Sequence, residues 1–238
     1  MKDKEYLKKY LPKEKYQEGL EKLKQNIPVQ YIVGNVNFYG NIINVNENVL
    51  IPRFETELLT EKTINYCKKF LDKKIKVLDI GCGSGAISIA LKKNLNCDVD
   101  AIDISLKALD VAKENAKLNH VDINFYQSDM LKNVDKKFDL IISNPPYISY
   151  DEEVEDIVKN NEPNIALYAD DNGLKFYKEI LKNATKNLNF PSIIAFEIGA
   201  TQSEDITHIA KKYFPNSKIF TEKDYTKRDR FLFVINEE

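Results

Sequence analysis

The sequence predicts an α/β protein built on a mostly parallel seven-stranded sheet that closes in an antiparallel hairpin. A short helical segment and a small β-hairpin precede the sheet. Three observations carry that expectation. From residue 75 onward, short runs rich in Val, Ile and Phe alternate with stretches of helical periodicity, the texture of βαβ units whose parallel strands are covered on both faces. The first such run passes directly into a glycine-rich turn, Gly81-Cys82-Gly83-Ser84-Gly85. The last two runs are joined by a short segment without helical character, which makes their pairing antiparallel.

In chain order, residues 4–26 alternate Lys and Glu with Tyr6, Leu7, Tyr10, Leu11, Tyr16, Leu20 and Leu23. That spacing predicts one or two short amphipathic helices, interrupted at Pro12. Ile27-Pro28 ends the helical texture. Residues 36–45 read as two short strands around Tyr39-Gly40-Asn41, whose turn residues sit at the centre of a hairpin. After Pro52, residues 55–70 have helical periodicity with acidic residues in the first turn, where they oppose the helix dipole. Strands are then expected at 75–80, 99–103, 123–127, 138–143, 192–197, 218–221 and 231–235, with helices at 85–95, 106–118, 174–188 and 204–213. The expected division is a helical segment at 1–28, a β-hairpin linker at 29–50 and the sheet domain at 51–238. No internal repeat or long low-complexity tract interrupts it.

Composition excludes several classes of function. With 238 residues, 43% hydrophobic and 30% charged, the chain is of ordinary globular type. Its longest apolar runs, such as Ile193-Ile194-Ala195-Phe196, are too short to span a bilayer. Met1 to Glu5 lead into charged sequence without the apolar core of a secretion signal, so a cytoplasmic protein is expected. A net charge of -2 and a pI near 5.9 argue against stable nucleic-acid binding, whose signature is a strongly basic domain. Cys67, Cys82 and Cys97 lack metal-ligand spacing, and His120 and His208 are the only histidines. No metal site is expected.

The glycine loop is spaced Gly-x-Gly-x-Gly, unlike the Gly-x-Gly-x-x-Gly of dinucleotide folds that place a pyrophosphate on the helix. Glycines at alternate positions let the backbone turn sharply and approach a ligand without Cβ interference, and the next helix presents its N-terminal amides. A tight strand-to-helix turn needs glycine too, so the loop alone does not define a site. Asp79, just before it, suits a ligand bearing an ammonium group. The second strand ends at Asp103, about twenty residues on, where a carboxylate can accept both hydroxyls of a ribose. Capping the following helix is the other role open to Asp103, one for which Ser105 is better placed. The third strand ends at Asp129-Met130, where a carboxylate and a soft apolar side chain can bracket an adenine, or where Asp129 caps a turn. Three acidic strand ends beside one glycine loop favour a nucleoside ligand, bound at the carboxyl ends of the strands.

The fourth strand runs into Asn144-Pro145-Pro146-Tyr147. Consecutive prolines fix φ and remove two backbone donors, leaving outward carbonyls with few local competitors. The NH2 of an amide or an exocyclic amine has two donors, which the Asn144 side-chain oxygen and the Pro145 carbonyl can accept together. The Tyr147 ring can cover the flat group. Such a grip fits methylation of a planar nitrogen; a rigid Pro-Pro turn with Asn as a turn residue is the structural alternative.

With this motif in place, the chain resembles the HemK/PrmC family, the glutamine N5-methyltransferases of peptide chain release factors, and its sheet resembles the Rossmann-like class I methyltransferase fold. The resemblance runs from about Ile27 to Phe233. It includes Pro28-Val29-Gln30-Tyr31-Ile32-Val33-Gly34, Ile51-Pro52-Arg53-Phe54-Glu55-Thr56-Glu57, the glycine loop, Asp103, the Asn-Pro-Pro-Tyr segment, Glu162-Pro163 and Asp224 to Arg230. It implies S-adenosyl-L-methionine as cofactor, leaving as S-adenosyl-L-homocysteine, and class I release factors as partners of a monomeric enzyme. Asp79, Gly81, Cys82, Gly83, Ser84, Gly85, Asp103, Ile104, Asp129, Met130 and Asn144 are then expected around the cofactor. Asn144, Pro145, Pro146 and Tyr147 are expected to hold the glutamine of a Gly-Gly-Gln loop, with Asn144, Pro145 and Tyr147 at the reacting centre. Arg53, Glu55 and Glu57 would lie at the mouth of the site, where capping of the helix that follows is their other role. Glutamine methylation of a ribosomal protein and methylation of a nucleic-acid amine use the same grip. Two departures stand out. Phe54 replaces the proline of many relatives, and the helical region before Ile27 is shorter than the family's full helical domain. The acidic run Asp151-Glu152-Glu153 with Glu155-Asp156 is expected as a solvated helix face, or as a face toward a basic partner.

Overall fold

The computed structural model describes residues 2–71 and 73–237. The chain opens with α1 (Asp3–Tyr10), a 3-10 turn (Lys13–Lys15) and α2 (Tyr16–Lys24). The break falls at Pro12, which can neither donate to a helix nor fit inside one. Leu7 on α1 is fully buried, and Gly19 of α2 approaches it so closely that a Cβ there would meet Leu11 at 2.7 Å and Leu7 at 3.3 Å. Residues 29–33, expected at the start of the hairpin linker, instead form α3 (Val29–Val33). Pro28 supplies the fixed φ that suits the residue ahead of a helix, and Gly34 in the left-handed region (φ 85°) ends it after little more than a turn. The hairpin itself follows as β1 (Asn35–Phe38) and β2 (Asn41–Asn44).

The main domain begins with α4 (Phe54–Phe70) and β3 (Ile75–Ile80). It continues through α5 (Ala86–Asn94), β4 (Cys97–Asp103), α6 (Leu106–Leu118), β5 (Asn124–Gln127) and β6 (Phe138–Ser143). A lone turn of helix, α7 (Asp156–Asn161), and a 3-10 turn (Asn164–Ala166) lead to α8 (Lys175–Asn187), β7 (Leu188–Glu197), α9 (Ser203–Tyr213), β8 (Lys218–Lys223) and β9 (Asp229–Asn236). The seven-stranded sheet has the order β5-β4-β3-β6-β7-β9-β8. Its first five strands are parallel, and β9 runs antiparallel between β7 and β8.

Alternation along the central strands sorts their side chains between two cores. Leu140 and Ile142 of β6 join the core under α4, α5, α6 and the hairpin, while Ile141 joins the one under α8 and α9, as does Phe138 on the far side of a register shift between Phe138 and Leu140. Every residue of β6 is buried, as expected of a parallel strand covered on both faces. The strand order reverses between β3 and β6, so their carboxyl ends open a crevice that the glycine loop and Asn144-Pro145-Pro146-Tyr147 flank.

Two other elements differ from expectation. Strand β7 begins at Leu188 and runs through Pro191, because the ladder to β6 shifts register between Phe138 and Leu140 and no donor from the proline is needed there. Of the acidic run, only Asp156 enters a helix; residues 151–155 form a turn and irregular chain. The run has no apolar stripe at helical spacing to pack a helix down. Its one apolar residue, Val154, turns toward the crevice.

Candidate active site

Two cavities meet at the carboxyl end of the sheet. The first, of about 290 Å3, is lined by Gly81, Gly83, Asp103, Ile104, Asp129, Met130 and Asn144 among others. The second, of about 220 Å3, is lined by Arg53, Asn144, Pro145, Tyr147, Val154, Glu155 and Glu197 among others. Leu50, Asn144 and Ala166 belong to both walls, so Asn144 stands where the two open into each other.

In the first cavity, Gly81 (φ 71°) and Gly83 (φ 52°) are in the left-handed region, and a Cβ on either would meet no atom within 4 Å. Glycine is required there by conformation and leaves bare backbone facing the cavity. The loop's amides are used within the protein. Gly81 and Cys82 donate to the Ile102 carbonyl at 2.8 and 2.9 Å, Gly83 donates to Asp103 Oδ2 at 2.9 Å, and Gly85 donates to the Cys82 carbonyl at 2.8 Å. The loop therefore shapes the cavity without offering these N–H groups to it. Asp103 also accepts from the Ser105 amide at 2.9 Å, whereas Ser105 Oγ caps α6 through the Ala108 amide at 3.2 Å. Asp103 is thereby held at the rim and takes no part in capping, and burial raises its pKa.

Asp79, Cys82, Ser84 and Gly85 sit behind this surface. Cys82 and Ser84 are buried, and burial pushes the Cys82 thiol up. Gly85 packs on α6, where an added Cβ would lie 3.2 Å from that of Ala112. Asp79 is fully buried; Ser88 Oγ donates to its Oδ2, and its Oδ1 is the one buried side-chain polar atom without a partner among the described residues. Burial raises its pKa to about 7. An orphaned carboxylate oxygen beneath an acid-lined cavity fits a ligand carrying positive charge and hydroxyls. Ile104 and the left-handed Met130 (φ 47°) add apolar surface. S-adenosyl-L-methionine has these features, and the residues present fit it.

In the second cavity, no protein donor reaches the Pro145 carbonyl among the described residues. The carbonyl of Tyr147 is taken by Gln202 Nε2 at 2.9 Å, which also donates to Asn172 at 3.1 Å and fixes the loop from behind. Asn144 Nδ2 donates to Thr56 Oγ1 at 3.1 Å, and Thr56 donates to Glu197 at 2.7 Å. Arg53 forms a 2.5 Å ion pair with the buried Glu162, whose other oxygen accepts from the Ile51 amide at 2.9 Å. This pair ties the start of α4 to the loop that roofs both cavities. Burial raises the pKa of Glu197, and the nearby Glu55 adds to the rise. Glu57 faces away and accepts from the Tyr39 amide at 3.0 Å, holding the hairpin turn. Phe54, the departure from family pattern, is exposed and stacks on Tyr225 with centroids 5.5 Å apart. Thr56, Glu197 and Gln202 are not marked as site residues in the sequence because each lies far along the chain from its partner, and of the three only Thr56 falls inside one of the motifs above. Asn115 is unmarked too: inside α6, it bridges the hairpin at Asn44 and the glycine loop at Ser84.

The family described as Methyltransferase small domain matches residues 56–162. A release factor glutamine methyltransferase of Streptococcus pneumoniae is 42% identical over 217 residues, covering 90% of this chain and 77% of that protein. One from Flavobacterium psychrophilum is 44% identical over 223 residues, covering 90% and 78%. In fold, the chain is similar to the crystal structure of a protein-(glutamine-N5) methyltransferase from Alicyclobacillus acidocaldarius, with a TM-score of 0.53, 23% identity, and 82% and 99% of the two chains covered. The sheet is that of class I methyltransferases, and the chain belongs to the release factor glutamine methyltransferase family.

Proposed function

We propose that this chain transfers the methyl group of S-adenosyl-L-methionine to the side-chain amide nitrogen of the glutamine in the Gly-Gly-Gln motif of a class I release factor. The observation that carries this reading is Asn144 on the shared wall of the two cavities. The acid-lined cavity takes the cofactor, and the cavity beside it takes the acceptor. When bound, the cofactor supplies an electrophilic methyl on a sulfonium.

An amide nitrogen is a weak nucleophile because its lone pair is delocalised into the carbonyl. Asn144 Oδ1 and the open Pro145 carbonyl can accept its two N–H bonds, favouring pyramidalisation and aiming the lone pair. The rate gain is then mainly positioning, for which well-oriented groups supply roughly 7–11 kcal/mol. Once alkylated, the nitrogen is strongly acidic and loses one of its two protons to water, so no strong base is required. Tyr147 lines the same cavity and covers the flat amide. Glu155 on this cavity and its neighbours Glu152, Glu153 and Asp156 outside it form a negative rim. Such a rim repels a phosphate backbone and favours a protein acceptor over a nucleic acid.

Incubation with labelled cofactor and a release factor is expected to label the Gly-Gly-Gln glutamine. Equal labelling of a release factor in which that glutamine is alanine would overturn the assignment. The cofactor site has its own pH signature. With its pKa raised to about 7, Asp79 binds its proton more tightly in the folded than in the unfolded chain. Its contribution to stability is present below the ordinary carboxylate range and is lost as pH rises through about 7. The carboxylate that attracts the cofactor's charge exists above that pH, so cofactor affinity is expected to weaken as pH falls through it. Calorimetric titration of wild type and Asp79→Asn checks this. A pH-independent affinity in the wild type would remove Asp79 from the cofactor site.

A further inference from the structure

An asparagine amide has an acceptor end and a donor end, and only its carbonyl can accept from a substrate NH2. What lies behind Asn144 decides which end faces the acceptor cavity. Behind it is Thr56 Oγ1, 3.1 Å from Nδ2, and behind Thr56 is Glu197, 2.7 Å away. Thr56 is in the first turn of α4, and Glu197 is the last residue of β7, 141 residues further on. Both are buried, at 6% and 2% exposure. The Glu197 backbone is itself pinned, its carbonyl accepting from Tyr177 Oη at 2.8 Å.

A threonine hydroxyl has one proton to give. An ionised Glu197 can only accept, so it takes that proton and leaves Thr56 Oγ1 with lone pairs alone toward Asn144. The amide must then turn its NH2 to Thr56 and its carbonyl to the substrate. If Glu197 is protonated, the chain can run the other way: the carboxylic O–H donates to Thr56, Thr56 donates to Asn144 Oδ1, and the NH2 turns outward to meet the substrate donor against donor.

We propose that Thr56 and Glu197 are positioning residues for methyl transfer, a buried hydroxyl–carboxylate pair that holds Asn144 with its carbonyl toward the acceptor amide. The proposal rests on the reading of the site as an amide methyltransferase. Arg230 from β9 and Arg53 ahead of α4 favour the carboxylate form, and Glu55 of α4 opposes it. The hydroxyl of Tyr147 and that of Tyr177 on α8 also face it. Burial outweighs the arginines and raises the Glu197 pKa to about 7, so the productive form predominates above neutrality and is lost as pH falls.

The test is initial-rate methylation of a release factor at saturating cofactor over about pH 6 to 9, with thermal melts to establish folding. Thr56→Val keeps the shape and removes the relay. It is expected to lower kcat about 100-fold, as a misplacement at a reacting centre does, with cofactor affinity unchanged. Thr56→Ser restores the hydroxyl and is expected to recover more than about tenfold of that loss, one hydrogen bond's share. In the wild type kcat is expected to fall below about pH 7; in Glu197→Gln this acid limb is absent. A Thr56→Val enzyme with wild-type kcat, or a Glu197→Gln enzyme that keeps the acid limb in kcat, would overturn the positioning role. A wild-type enzyme that labels no glutamine at any pH would overturn the functional reading, and the proposal with it.

Discussion

Asn144→Ala is expected to lower kcat for glutamine methylation by about 10²–10³-fold, the usual cost of removing one preorganised partner from a reacting centre. Cofactor affinity should fall by no more than about tenfold, because a single hydrogen bond is at stake on that side. The asymmetry follows from where the residue sits. On the cofactor side, Asn144 is one lining residue among many, including Gly81, Gly83, Asp103 and Met130. On the acceptor side, its carbonyl and that of Pro145 are the two acceptors proposed to orient the nitrogen. Single-turnover labelling and calorimetry separate the two effects. The fold should persist, since Asn144 is only half-buried and Thr56 keeps its bond to Glu197. A kcat within about tenfold of wild type would leave Asn144 no more than a turn residue.

Gly173→Ala is expected to cost about 2–5 kcal/mol of stability, combining about 1–2 kcal/mol for a left-handed side chain with about 1–3 kcal/mol for overpacking. Gly173 has φ 79°, and a Cβ there would lie 2.1 Å from the Tyr147 carbonyl oxygen and 2.4 Å from Gln202 Nε2. Neither neighbour can yield cheaply. The carbonyl is backbone of the Asn-Pro-Pro-Tyr loop, and Gln202 is committed to Tyr147, Asn172 and the Gly199 amide. Displacing Tyr147 also disturbs the acceptor cavity, so kcat should fall along with the melting temperature, which should drop by roughly 5–20 °C. Thermal unfolding and initial rates measure both. An unchanged melting temperature would mean that the loop relaxes freely, contrary to the packing behind it.

The parts of the site that sequence reasoning reached are those where chemistry and chain neighbourhood coincide. The glycine loop is legible because backbone in the left-handed region demands glycine at Gly81 and Gly83, and its place between a strand and a helix is marked by local periodicity. Asp103 and Asn144 are legible because the one ends and the other directly follows a strand whose carboxyl end must open toward the crevice. The five residues of the helix at 29–33 are too few to leave a periodic signal in the sequence. A run of charge alone does not distinguish a solvated helix from irregular chain, so the acidic run carries no signal of the turn it forms. Glu57 is a first-turn carboxylate by position, and nothing local says that it turns back to hold Tyr39 rather than face the site.

By itself, the sequence determined the parallel sheet, its antiparallel end, the glycine loop and the Asn-Pro-Pro-Tyr motif, since these depend on periodicity, turn chemistry and residues adjacent in the chain. Tertiary structure alone decided which groups stand behind that motif. Thr56 and Glu197 meet Asn144 only because α4 and the ends of β6 and β7 converge at the crevice, and Gln202 and Gly173 brace Tyr147 only once α8 and α9 have packed. Hydrogen-bond partners this far apart in the chain leave no spacing to read; their identity is fixed by the packing that removes water around them.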